Sequence, residues 1–203
     1  MWWQRLERSL ELNAEQPVSR FLQLATVRAD GRPANRTVVY RGLLTPPQST
    51  QRWVSFVSDA RSDKHDDLAR CAWAELCWYL PITREQYRLL GRAHSVSHDD
   101  PAAWLAEARR RAWERLSAAS RAPFFGPPPG SILSDNAPDK TDISADTHGI
   151  PDTFCLLYLV PRRVDHVRLA SAAVPVPTRD VYVADSDVDT TSPLTWRVFH
   201  VQP

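Results

Sequence analysis

Arg36 and Arg41 bracket the segment Thr37-Val38-Val39-Tyr40. Ser58 lies near the end of the run Trp-Val-Ser-Phe-Val-Ser-Asp, Ser62 and Lys64 follow it, and Arg84, Gln86 and Arg88 recur at every second position further on. Cationic side chains beside hydroxyls suit a phosphate monoester, which carries roughly −1.5 to −2 charges and takes several donors at once. One sheet that gathers these residues would make an anion site, and the first amides of a helix after Ser62 would add donors. The competing reading is that Arg and Lys on strands only solubilise an edge. Spacing alone leaves both open.

Other chemistries have weaker support. No Gly-x-Gly-x-x-Gly or Gly-Lys-Ser/Thr occurs, so the common nucleotide loops are absent. His94, His98, Asp99 and Asp100 are metal-ligating types, but they straddle a strand end and a helix start, and no metal is expected. Asp165-His166 has no serine in a nucleophile elbow to serve. The eight tryptophans read as core and interface material rather than a basic-aromatic nucleic-acid surface. A net charge of +1 carries no polyanion-binding signature.

The cysteines, Cys71, Cys77 and Cys155, are odd in number and lack a Cys-x-x-Cys pair. They read as apolar fillers in a reducing cytoplasm. No apolar run approaches the roughly 20 residues of a membrane span. The N-terminus has no apolar stretch of the secretion-signal kind; Trp3, Leu6 and Leu10 recur there at helical spacing, and an amphipathic helix is expected within 1–16.

The polar residues lie on or beside strand-like runs. Residues 21–27 and 35–44 are joined across Asp30-Gly31, a hairpin signal, with Arg36, Val38 and Tyr40 on one face of the second and Thr37, Val39 and Arg41 on the other. Residues 53–59, 73–80 and 87–96 are further strands, and 153–160, 163–169, 180–185 and 194–201 read as four more. A short helix is expected after Ser62 as N-cap, and a second after Asp99-Asp100-Pro101 with the stripe Leu105, Ala108, Ala112 and Leu116. The Arg109-Arg110-Arg111 run on that helix reads as a solvated face. Residues 118–152 hold six of the 17 prolines and no periodicity, the mark of a long functional or mobile loop. Many short strands with two or three peripheral helices predict a mainly β domain over 1–203, an antiparallel sheet closed into a barrel.

The consecutive motifs Arg-Thr-Val-Val-Tyr-Arg (36–41), Phe-Val-Ser-Asp-Ala-Arg-Ser-Asp-Lys (56–64) and Trp-Tyr-Leu-Pro-Ile-Thr-Arg-Glu-Gln-Tyr-Arg-Leu-Leu-Gly (78–91) resemble those of pyridoxamine 5′-phosphate oxidases in order and spacing. The ending Trp-Arg-Val-Phe-His-Val-Gln-Pro is similar to the family's, with His200 where arginine is usual. The resemblance implies an FMN-binding split β-barrel, a homodimer with flavin at the interface, and hydride transfer from a small substrate to FMN, reoxidised by oxygen or another acceptor. It implies that Arg36 and Lys64 hold the FMN phosphate, with Ser58 and Ser62 donating. The Thr37-Val38-Val39 segment would face the ring, with Arg41 where the family often has lysine. Gln86 would reach the flavin across the dimer, Arg88 would support its strand, and Trp196 would pack near the cofactor. The family's substrate-phosphate motifs are not recognisable; Arg179 and the 109–111 arginines remain as candidate substrate anchors. An FMN carrier or sensor without B6-vitamer turnover is the alternative. The phosphate set argues for FMN over haem or another planar cofactor.

Overall fold

A computed structural model of the chain describes residues 1–132, 149–171, 174–185 and 194–203. Among these, eight strands form one antiparallel sheet in the order β3-β2-β1-β4-β5-β6-β7-β8. They are β1 (Phe21–Val27), β2 (Pro33–Leu44), β3 (Trp53–Asp59), β4 (Trp73–Leu80), β5 (Glu85–Val96), β6 (Phe154–Arg168), β7 (Thr178–Ala184) and β8 (Trp196–Val201). A further pairing of β3 with β6 closes the first six into a barrel and leaves β7 and β8 as an extension of the wall.

The period-two pattern decides which side chains fill the barrel. In β1, Leu22, Leu24 and Thr26 are buried while Phe21 and Val27 are exposed. Leu22, Leu24, Val38, Phe56, Trp78, Leu89 and Leu157 belong to one buried cluster. Helix α1 (Trp2–Leu12) contributes Trp2 and Leu6 to it. Leu6 is buried as expected, but the stripe is rotated: Trp2 is 1% exposed, whereas Trp3 and Leu10 pack at the margin.

Under α1 lies a buried polar cluster. The Ser9 hydroxyl donates to Glu85 Oε2 at 2.5 Å, and His166 Nε2 stands 3.1 Å from Glu85 Oε1. Arg5 donates to Asp180 at 2.6 Å, tying the helix to β7.

A second apolar cluster lies outside the barrel under α3 (Ala103–Glu114), where Trp113, Leu105 and Leu116 cover Phe154, Leu156 and Tyr158. Roofed here and packed inward on the other side, β6 is buried along most of its length. That explains its near-continuous apolar run.

Several sequence expectations change. Residues 153–160 and 163–169 are one strand, because Pro161 sits opposite Gly91 at a register shift and needs no ladder donor there. Among the described residues the count of strands is therefore eight. β5 begins at Glu85 rather than Tyr87. Helix α2 (Lys64–Arg70) has Asp63, not Ser62, at its N-cap, and α3 starts after Ala102 rather than at Pro101. Within the expected 118–152 loop, α4 (Ala118–Arg121) and a 3₁₀ turn over Ala122–Phe125 pack against Trp113; residues 133–148 lie outside the described set.

The arginine run divides. Arg109 is 7% exposed and donates to the carbonyls of Phe154 and Pro151, each at 2.9 Å. Arg110 and Arg111 are on the solvent side, paired with Glu107, and Arg110 also with Glu114.

The wall formed by β5, β6 and β7 is joined by charge. Asp165, 2% exposed, accepts from Arg88 at 2.7 Å and from Arg179 at 2.9 and 2.8 Å. Burial pushes its carboxyl up, but the bonds from Arg179 and Arg88 outweigh this and hold it below the ordinary carboxylate range. A carboxylate depressed on folding stabilises the fold above its unfolded pKa, about 3.9; that contribution fades as pH falls through the lower folded value. Thermal stability is therefore expected to fall off below about pH 4. Asp165→Asn should lower Tm at neutral pH and flatten this acid limb. An acid limb as steep as the parent's would remove Asp165 from the account.

Candidate functional site

The inward-facing row of β2 carries Arg36, paired in register with Leu24 of β1. Its guanidinium donates to Thr26 Oγ1 at 2.7 Å and to the Leu24 carbonyl at 3.3 Å, and stands 3.5 Å from Asp67 of α2. Lys64, the first residue of α2, donates to Ser58 Oγ at 3.0 Å and to Ser62 Oγ at 2.5 Å. The structure thus brings Arg36, Ser58, Ser62 and Lys64 to one end of the barrel.

Burial first, and then the nearby Arg36 charge, lower the Lys64 pKa below the usual lysine range. Two cations crowded in a half-buried place favour an anion between them. The expected helix amides contribute less than supposed. Ser62 N–H donates to the Asp59 carbonyl at 3.1 Å and His65 N–H to the Ser62 carbonyl at 2.9 Å, so both are engaged within the turn.

Beyond Arg36, Val38 is buried in the barrel, whereas Thr37 and Val39 lie on the opposite face of β2. Between Tyr40 and Gly42 the β2–β3 register slips by one residue, and Gly42 takes φ +126°. This bulge leaves Arg41 outside the ladder. Arg41 lines an open groove of about 400 Å³ whose far wall is α3, with Trp104, Ala108 and Arg111. Its Nε is buried with no hydrogen-bond partner among the described residues, and burial, followed by the Arg20 charge, lowers its pKa. The groove needed α3 to become visible, and the bulge needed β3 to pair with β2.

Other sequence-predicted residues lie apart. Gln86 pairs in register with Tyr79 and Val167, and Val167 with Arg179. This row is on the outer wall, the face away from buried Tyr87 and Leu89. Within one chain Gln86 and Arg179 do not join Arg36 and Lys64. Trp196 packs edge-on against Trp2, with ring centroids 6.0 Å apart, at the margin of the α1 contact. Thr26 and Asp67, which hold Arg36, were missed in the sequence. Neither residue type signals a role until the strand and helix meet. Among the described residues no group of three or more His, Cys, Asp or Glu is placed to hold a metal. Nor is any described helix long and apolar enough to cross a membrane.

The donor set fits FMN: two cations and two hydroxyls for a phosphate, beside the β2 backbone. Comparison with known proteins points the same way. Residues 1–97 match the family model of the pyridoxamine 5′-phosphate oxidase FMN-binding domain. The chain is 34% identical over 169 residues to pyridoxine/pyridoxamine 5′-phosphate oxidase 2 of Arabidopsis thaliana, covering 83% of each. It is 33% identical over 92 residues to the pyridoxine/pyridoxamine 5′-phosphate oxidase of Acinetobacter baylyi, 45% of this chain and 38% of that one. In structure it is similar to a pyridoxamine 5′-phosphate oxidase-related, FMN-binding protein of Nostoc punctiforme. That match has a TM-score of 0.80 and 36% identity and covers 100% of this chain and 97% of the other. PhzG from Burkholderia lata shares the fold, with a TM-score of 0.68 and 20% identity over 100% and 91% of the chains. On this likeness, and with a split barrel that assembles the phosphate-type donors, the chain belongs to the FMN-binding pyridoxamine 5′-phosphate oxidase family.

Proposed function

We propose that this protein, acting as one domain over residues 1–203, is an FMN-dependent oxidoreductase whose cofactor phosphate is held by Arg36, Lys64, Ser58 and Ser62. The observation that carries this reading is the Lys64 cluster with Ser58 and Ser62, with the Arg36 charge close enough to act on it. Bound FMN supplies the hydride acceptor, and the chain binds and orients it. The backbone along Thr37, Val38 and Val39 faces the ring, and Arg41, which lines the α3 groove, stands on the side open to a small substrate.

The same reading makes the active form a homodimer. The outer wall exposes Phe21, Tyr79, Phe199 and Val201 on the face that also carries Gln86. Such a patch favours burial against a partner, and a second copy would bring Gln86 to the other chain's flavin. Trp196 and Arg179 would approach the cofactor only through that assembly. Sedimentation velocity should show a dimer carrying FMN; a stable FMN-loaded monomer would rule out the shared site. The three unpaired cysteines suit a reducing compartment, and we place the protein in the cytoplasm.

B6-vitamer phosphates are expected to be poor substrates. A second dianion needs its own donors to offset desolvation. Of the candidate substrate anchors, Arg111 on the groove is already paired with Glu107 at 2.6 Å, and Arg179, on the outer wall, is locked on Asp165. These pairings also favour the alternative reading, an FMN carrier without B6 turnover. Steady-state assays with pyridoxine and pyridoxamine 5′-phosphates should give kcat/KM below about 10⁴ M⁻¹s⁻¹, the lower end for an enzyme on its own substrate. A value above that would show a working clamp for the substrate phosphate. Anaerobic bleaching of bound FMN by any small donor would favour the oxidoreductase over the carrier.

A further inference from the structure

Arg61 stands inside the turn that delivers Ser62 and Lys64, and nothing in the phosphate set itself requires an arginine there. Its guanidinium forks onto Asp59, Nε to Oδ1 at 2.9 Å and Nη2 to Oδ2 at 2.6 Å, and its own N–H donates to Asp59 Oδ1 at 2.8 Å. Nη1 reaches out of the turn to the Gly126 carbonyl at 2.8 Å, with Nη2 3.4 Å from the Phe124 carbonyl. The Asp59 carbonyl in turn accepts from the Ser62 hydroxyl at 2.6 Å, the Ser62 N–H at 3.1 Å and the Ser58 hydroxyl at 3.3 Å.

The Phe124–Gly126 buttress is fixed independently. The Thr153 hydroxyl donates to the Phe124 carbonyl at 2.9 Å, and both Phe124 and Phe125 pack edge-on against buried Trp113. On the other side, Ala60 N–H donates to the Thr153 carbonyl at 2.8 Å. The turn is therefore bolted to β6 and to the 3₁₀ segment at once. Burial pushes the Asp59 carboxyl up, yet the Arg61 bonds prevail and keep it below the ordinary range; Arg61 is correspondingly raised. The pair is ionised and engaged across the working pH range.

We propose that Arg61 is a positioning residue for cofactor phosphate recognition: by clamping Asp59 to the Phe124–Gly126 segment it holds Ser58, Ser62 and Lys64 in one converging geometry. The clamp itself touches no ligand. It acts by removing freedom that the turn would otherwise lose on binding. A bidentate fork has the directionality for this; a lysine ammonium, a point charge, does not. The inference rests on the FMN phosphate reading of the Lys64 cluster.

The test compares Arg61→Ala, Arg61→Lys, Lys64→Ala and the Arg61→Ala/Lys64→Ala double variant. Each apoprotein is titrated with FMN and with riboflavin, which lacks the phosphate. Thermal unfolding of each apoprotein, and the conservative Asp59→Asn variant, guard against a general loss of fold. Arg61→Ala is expected to weaken FMN binding about tenfold, the scale of one charge-assisted contact, and to leave riboflavin binding unchanged. Arg61→Lys should restore little of it. In the double variant the losses should be less than additive, because the clamp acts through Lys64. Full FMN affinity in Arg61→Ala alongside a loss in Lys64→Ala would overturn the clamp and leave the phosphate site standing. So would equal losses for FMN and riboflavin. Unchanged affinity in both variants would remove the phosphate site and the clamp with it.

Discussion

Arg36→Ala and Lys64→Ala should each weaken FMN binding tenfold or more. A hydrogen bond to a charged group contributes about 1.5–3 kcal/mol, and about 1.4 kcal/mol is a tenfold change in affinity. Lys64 is the more sensitive of the two. Its ammonium is half-buried between Ser58 and Ser62, and burial together with Arg36 has already weakened its hold on its proton. A bound phosphate would reverse that cost; an alanine there leaves the anion with Arg36 as its one cation beside two neutral hydroxyls. Arg36→Ala has a second consequence, since it strips Asp67, 5% exposed, of its cationic neighbour and leaves it with the Thr26 hydroxyl. Some destabilisation of the apoprotein is therefore expected in Arg36→Ala and little in Lys64→Ala. Titration of the apoproteins by flavin fluorescence separates these effects. Unchanged FMN affinity in both variants would remove the phosphate site.

Gly91→Ala should destabilise the fold more than any single surface change. A Cβ at Gly91 would lie 2.1 Å from the Val160 carbonyl oxygen, 2.8 Å from its carbon and 2.9 Å from the Pro161 Cα. All three atoms are backbone, so no rotamer change relieves the contact. The clash falls at the β5–β6 register shift. Overpacking a core costs typically 1–3 kcal/mol, and with only backbone to yield, about 3 kcal/mol is the reasonable scale here. For a chain of this size that corresponds to roughly 6–12 °C in Tm. Because β6 pairs with β3 through Ser58 and Asp59, FMN affinity should fall as well. A Gly91→Ala protein melting within about 2 °C of the parent would show that the close approach is not required.

The closeness of Ser58, Ser62 and Lys64 was legible in the sequence because they come from one short segment; their cofactor roles came from the family resemblance, since spacing alone left a solvated edge equally open. Arg36, Ser58, Ser62 and Lys64 lie on two neighbouring strands and the turn that leaves the second, so local pattern already places them near one another. The parts that were not legible depend on partners distant in sequence. Arg109 looked like one of three solvated arginines; only the carbonyls of Pro151 and Phe154, brought in by β6, make it a buried donor. Pro161 looked like a break, because its tolerance depends on Gly91 across the bulge. Arg41 and Gly42 read as ordinary strand residues until β3 pairs with them and exposes the slip. Trp196 was assigned by resemblance of the C-terminal motif, yet its ring contacts are set by α1 from the other end of the chain. Trp2 rather than Trp3 became the core residue for the same reason: helical spacing fixes the stripe but not its rotation against the barrel.

The most direct test of the central claim is whether purified protein binds FMN stoichiometrically. Apoprotein incubated with excess FMN and passed through gel filtration should elute with flavin absorbance at one FMN per chain. Riboflavin treated in the same way should be retained far less, since it offers nothing to Arg36 and Lys64. Protein that elutes colourless after FMN loading, or that retains riboflavin and FMN equally, would contradict the account.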